Sequence, residues 1–154
     1  MFVQIGFAQV NGNTETPIDL SEIWIQNQQG KVKYETKLNE LIEKFGQPES
    51  LDPFYYEIDE KDGFILGYGN SEFFIQNDML YLFSLKSSDF ALKRGNNSIR
   101  VGDSIDKIDR FYPGYFIEDN FIIARIKTSA GEIDGGLVIE TDGSKILAID
   151  LNFH

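Results

Sequence analysis

The chain has 154 residues, with 14 basic against 25 acidic side chains, a formal net charge of −11 and no cysteine. That length suits one domain with a sizeable core, and the missing thiols exclude disulfides, thiol nucleophiles and zinc–thiolate sites. So acidic a surface disfavours phosphate backbones and anionic membranes unless the few lysines cluster; it favours a basic protein or cationic ligand, although acidity also serves plain solubility.

Residues 1–9, MFVQIGFAQ, read like the tail of a secretory signal: an apolar stretch, then Gly6 and Ala8 before Gln9, without a basic leading region. The competing reading is an edge strand, with Val3, Ile5 and Phe7 alternating against Gln4, Gly6 and Ala8. A true start upstream of Met1 would make the protein extracytoplasmic, periplasmic or secreted; otherwise it is cytoplasmic. No apolar run approaches the ~20 residues of a membrane-spanning helix. Residues 9–22 are polar and read as a linker, so 1–22 form an N-terminal segment ahead of the folded body.

The next stretch, EIWIQNQQGKVKY, has a hairpin pattern: Ile23, Trp24 and Ile25, a turn ending at Gly30, then Val32 and Tyr34. Leu38, Leu41, Ile42 and Phe45 follow at helical spacing, with Thr36 as the expected N-cap and Gly46 and Pro48 as the stop. The segments FYYEID, GFILGYG and EFFIQNDMLYLFSL then read as antiparallel strands, the last turning at Asn77 and Asp78.

A similar order returns at a constant offset of 67 residues. Val32 matches Ile99, Thr36 matches Asp103, Leu38 matches Ile105 and Leu41 matches Ile108. Asp103 is the expected cap; Ile105, Ile108, Phe111 and Tyr112 form the stripe; Pro113 and Gly114 end it. The strands YFIEDN, FIIARIKT and GGLVIETDGSKILAIDLNF come next, turning at Asp142 and Gly143. The expected fold class is therefore α+β: a tandem repeat of short helix plus antiparallel meander. It would form one antiparallel sheet with two short helices on one face. Unit 1 would span 23–90 and unit 2 would span 91–154, in one compact domain.

The segment from Leu38 through Phe45-Gly46-Gln47-Pro48, with the late hairpin from Asp142-Gly143 to Leu151, resembles the beta-lactamase-inhibitor-protein-like superfamily. That group includes a tandem-repeat inhibitor and the small lipoprotein of the outer-membrane barrel assembly machinery. The resemblance covers roughly residues 23–154. It implies a protein-binding function and carries no catalytic residue. Tyr112-Pro113-Gly114 departs from the group's glycine followed closely by proline.

Ordinary catalytic parts are scarce. The single histidine is His154, the last residue, so Ser-His-Asp and Cys-His machinery cannot be assembled. Asp103, Asp106 and Asp109 recur at every third residue, but Lys107 and Arg110 lie among them and blunt a cation site. Glu57, Asp59, Glu60 and Asp62 precede Gly63, yet the spacing of a calcium loop fails because Ile58 stands where its first carboxylate should be. GYGNSE at 67–72 does not open onto a helix as a phosphate cradle would. No catalytic residue, cofactor or metal is expected.

What remains is a surface. The chain holds 13 Phe and 7 Tyr, and its strands carry aromatics in both phases (Phe54, Tyr55 and Tyr56; Phe73 and Phe74; Tyr81 and Phe83), more than one covered face needs. The expected partner-binding residues are Tyr55, Tyr68, Tyr81 and Tyr115, supported by Asp59 and Glu72, on an open sheet face that a partner, the N-terminal segment or a second copy would cover. The leading function is a non-catalytic protein-binding module of inhibitor, immunity or envelope-assembly type, with a partner that is another protein, favoured if basic, and no nucleic acid. A carboxylate-based hydrolase or small-ligand binder is the alternative; a structural homodimer is the second.

Overall fold

A computed structural model describes residues 16–153. Both readings of residues 1–9, and His154, lie outside the described residues. The described part opens with β1 (Ile18–Asp19) and a 3-10 turn, Leu20–Glu22, whose Ile18 and Leu20 are buried. The end of the stretch expected as a linker is thus tied into the fold.

Four short strands, β2 (Ile23–Gln26), β3 (Lys31–Lys33), β8 (Ala91–Arg94) and β9 (Asn97–Arg100), form a four-stranded sheet in the order β3-β2-β8-β9. The β2–β3 turn is held by Asn27, whose Oδ1 accepts from the backbone of Gln29 and Gly30. A seven-stranded sheet takes β4 (Ser50–Tyr56), β5 (Lys61–Tyr68), β6 (Ser71–Gln76), β7 (Met79–Leu85), β10 (Phe121–Ala124), β13 (Gly135–Thr141) and β14 (Ile146–Phe153). Its order is β10-β13-β14-β7-β6-β5-β4. The third sheet joins β1 in parallel to β11 (Ile126–Thr128), which pairs in turn with β12 (Gly131–Glu132).

Among the described residues two α-helices interrupt these strands: α1 (Leu38–Phe45) and the single turn α2 (Ile108–Phe111), entered through a 3-10 turn at Ile105–Lys107. Strand alternation sorts the core. Leu66 on β5, Phe73 and Ile75 on β6, Phe83 and Leu85 on β7, and Ile149 and Leu151 on β14 turn to one face. There they meet Leu41 and Phe45 of α1, Ile108 and Phe111 of α2, and Ile25, Val32, Leu92 and Ile99 of the smaller sheet in one continuous cluster. Phe45 sits 5.4 Å from Phe73 and 5.2 Å from Phe90, ring centre to ring centre.

The expected fold class is corrected. The chain is mostly β, with 14 strands in three sheets among the described residues, rather than helix-plus-meander units sharing one sheet. Hydrophobic alternation marks where strands are but not which strands they pair with, and the hairpins ahead of each helix pair with each other instead of joining the main sheet. Both expected caps are corrected too. The Thr36 hydroxyl donates back to the Lys33 carbonyl, and Lys37 takes the N-cap position of α1 without a side-chain cap. At the second turn Ser104 is the cap, while Asp103 accepts from the Arg100 backbone and pairs with Lys107.

Candidate functional site

The seven-stranded sheet ends at β4, so one edge of β4 has no neighbouring strand. Its apolar side chains are unusually exposed: Leu51, Phe54 and Tyr55 (52%), with Phe64 on β5 and Ile58 (95%) in the turn between the two strands. Scattered exposed apolar residues are ordinary; here they gather on one hairpin, with Leu51, Tyr55 and Phe64 on one face of it and Phe54 on the other.

From that hairpin runs a chain of rings. Phe74 meets Phe54 at 6.3 Å, Phe54 meets Tyr56 at 4.9 Å, Tyr56 meets Tyr81 at 5.7 Å, and Tyr81 meets Phe153 at 5.1 Å. Tyr34 closes the series 6.4 Å from Phe153. Every pair is edge to face, the arrangement that the ring quadrupoles favour. Two backbone features build it. Gly63 on β5 leaves room for the Tyr56 ring, since a Cβ there would stand 2.5 Å from Tyr56 Cε2. On β7 the ladder slips: Phe74 pairs with Leu82 but Ile75 with Leu80, which leaves Tyr81 as the extra residue of a bulge.

Asp59, in the β4–β5 turn, locks the arrangement. Its Oδ2 accepts from Gln76 Nε2 at 2.8 Å and from the Tyr81 hydroxyl at 3.2 Å. Burial first, then the charge and hydrogen bond of Asp59, push the Tyr81 pKa up. Tyr56 is only 8% exposed and its hydroxyl has no hydrogen-bond partner; burial pushes its pKa up to about 12. Two open hollows flank the hairpin and share Phe54 and Tyr55. One, of about 460 Å³, runs between the turn and Tyr81, Leu82 and Phe153; the other, of about 590 Å³, lies against Pro53, Phe64, Asn77 and Asp78.

Of the six residues expected from sequence, the structure brings Tyr55, Tyr81 and Asp59 together here. Tyr68 lies elsewhere: its hydroxyl donates to the Gly46 carbonyl at 2.8 Å, and its ring packs on Phe45, Phe73 and Phe90. Tyr115 is half-buried against the core, its hydroxyl 3.4 Å from the Ile105 carbonyl. Glu72 is exposed on β6, across from Gly67 and Ser84. Sequence reasoning left Phe54, Tyr56, Gln76 and Phe153 out of the site. The signal for Tyr56 was Gly63, a glycine inside a strand pattern, which marks a close approach. Nothing local to Phe153 announces its role.

A second surface has the opposite sign. Trp24 on β2 faces solvent between Lys33 on β3 and Lys93 on β8, with Lys31 Nζ 4.5 Å and Lys33 Nζ 4.9 Å from its ring centre. Among the described residues no group of three or more His, Cys, Asp or Glu is placed to hold a metal ion, and no helix is long and apolar enough to cross a membrane.

No family model matches the chain, and no curated protein matches it. A solved structure that does match is an extracellular protein containing an SCP domain from Bacillus anthracis str. Ames, at 9% identity and a TM-score of 0.46. The match covers 98% of this chain and 50% of that one, so the chain spans half the length of that protein. A likeness this distant carries no argument about fold or function.

Proposed function

We propose that the protein is a non-catalytic binding module that engages another protein through the β4–β5 end of its large sheet. The observation that carries this reading is that the exposed Phe54, Tyr55 and Ile58 themselves line an aromatic groove rimmed by the acidic Glu57 and Asp59. Aromatic anchors in a partly desolvated hollow are the usual centres of binding energy at protein interfaces. The inhibitor, immunity and envelope-assembly types all fit such a surface, and a protein-binding role is what the resemblance to the beta-lactamase-inhibitor-protein-like superfamily implies.

The test is capture from lysate by the wild-type chain beside a Tyr55→Ala, Ile58→Ala variant, followed by affinity measurement on the retained protein. Both side chains are exposed, so the variant keeps its stability within about 0.5 kcal/mol. A partner bound by the wild type and at least about tenfold more weakly by the variant supports the reading. Equal retention by both overturns it. Sedimentation that depends on concentration for the wild type alone favours the homodimer instead.

A further inference from the structure

We infer that the groove between the β4–β5 turn and β7 is a cage for an organic ammonium group, and that its occupant is an unmodified lysine side chain of a basic protein partner. This rests on the binding-module reading and specifies what the module recognises.

The walls argue first. Phe54 and Tyr56 stand at 77° to each other, Tyr56 and Tyr81 at 89°, and Tyr81 and Phe153 at 74°. Rings in a parallel stack offer one outer face at each end. At each of these contacts the edge of one ring rests on a face of its neighbour, and Phe54, Tyr56, Tyr81 and Phe153 all line the same hollow. A ring face is the negative part of its quadrupole, so a cation seated on a face left open to the hollow is attracted by it.

Charge argues second. Glu57 and Asp59 line the groove, and among the described residues no lysine or arginine does. Lys61 pairs across the strands with Tyr56 but is not part of the lining. The Asp59 carboxylate is already positioned, because both of its hydrogen bonds arrive at Oδ2 and Oδ1 takes part in neither. It therefore offers a fixed acceptor to an ammonium N–H at no cost in ordering its own side chain. An anion would meet two carboxylates and the negative ring faces.

Size and long-range field complete the case. A hollow of about 460 Å³ falls within the range of small-ligand sites and has ample room for one lysine side chain. A net charge of −11 steers basic proteins toward this chain, and the exposed apolar side chains beside the groove are where the rest of such a partner would rest.

The experiment follows the ring carbon–proton NMR signals of the full chain during titration with two matched pairs. One is tetramethylammonium chloride against tert-butanol; the other is N-acetyl-lysine methylamide against its norleucine counterpart. The expected result is saturable shifts at Phe54, Tyr56, Tyr81 and Phe153 with both cations, and at least about tenfold weaker binding of both neutral probes. Tyr81→Leu abolishes the response. Because that change also removes a hydrogen bond, Asp59→Asn serves as the milder variant and weakens the lysine amide about threefold or more, with the thermal transition tracked in parallel. Equal binding of charged and neutral members, or no response to any probe, overturns the cage while the capture experiment still decides the binding-module reading. A response to tetramethylammonium with none to the lysine amide overturns lysine as the occupant.

Discussion

The rings of Tyr56 and Tyr81 meet at 89° with their centres 5.7 Å apart, although β5 and β6 lie between their strands. At the usual spacing of neighbouring strands their backbones are roughly 14 Å apart. The gap closes because Tyr56 lies across Gly63 and because the bulge redirects Tyr81.

Gly63→Ala is therefore expected to act on the groove. Its Cβ would collide with the Ile75 carbonyl oxygen and with the Tyr56 ring, and the cost is roughly 1–3 kcal/mol of overpacking. Urea denaturation reads the stability loss, and the Tyr56 and Tyr81 ring signals should shift while those of Phe45 and Phe90 stay. An unchanged midpoint would mean that β5 and β6 accommodate a methyl group between them.

Tyr68→Phe separates support from function. It removes the hydroxyl bond to the Gly46 carbonyl but keeps the ring among Phe45, Phe73 and Phe90. The expected loss is about 1 kcal/mol, read as a fall of roughly 2–4 °C in Tm. Partner affinity should not change. A loss of affinity at full stability would return Tyr68 to the binding surface.

Arg94 tests how the small sheet is fastened to α2. Its guanidinium donates to the Phe111 carbonyl at 2.9 Å and reaches exposed Glu22 at 3.3 Å. Arg94→Gln should cost roughly 1–2 kcal/mol, since it strands the last carbonyl of a short helix. Glu22→Gln removes only a solvated ion pair and should cost under about 0.5 kcal/mol. Comparing the two by chemical denaturation decides the matter, and equal losses would shift the weight to the ion pair.

Alkali should unfold the protein before it reaches the pKa of the protected phenols. Burial pushes Tyr56 and Tyr68 up to about 12 from an ordinary 10.0, and Tyr34 higher still. Between those values the unfolded chain releases protons that the folded chain keeps, so stability falls as pH rises. The contribution is complete below pH 10 and is lost as pH climbs through 12. Urea midpoints at about pH 8 and about pH 11, with phenolate absorbance, should show the drop, and Tyr68→Phe should flatten it. A midpoint independent of pH across that range would contradict the burial of these hydroxyls.

Much of this architecture was legible in short range. The β2–β3 hairpin, the stop at Gly46 with its φ of +90° and the turn at Asn77 and Asp78, both at positive φ, follow from chemistry confined to a few neighbours. Pairing was not. Nothing in the spacing of Ile23, Trp24 and Ile25 tells β2 that its second neighbour is β8, some seventy residues on, instead of β4. The candidate site divides the same way. Asp59 and Tyr55 sit in one hairpin and could be placed together from sequence, whereas Phe153 arrives from the far end of the described chain. Tyr68 could not be told from Tyr55 beforehand, because a tyrosine with a satisfied hydroxyl and a tyrosine at a surface look alike in a sequence.

The parallel pair β1–β11 sets an order in time. Ile18, fully buried, takes its place only against Ile126, with a hydrogen bond from its N–H to the Arg125 carbonyl. A contact between residues more than a hundred positions apart cannot form on a ribosome until most of the chain has emerged, and closing so wide a loop is a slow step even in the free chain. The earliest-synthesised strand of the described fold is thus among the last to dock. Removing β11 would leave that strand without its partner.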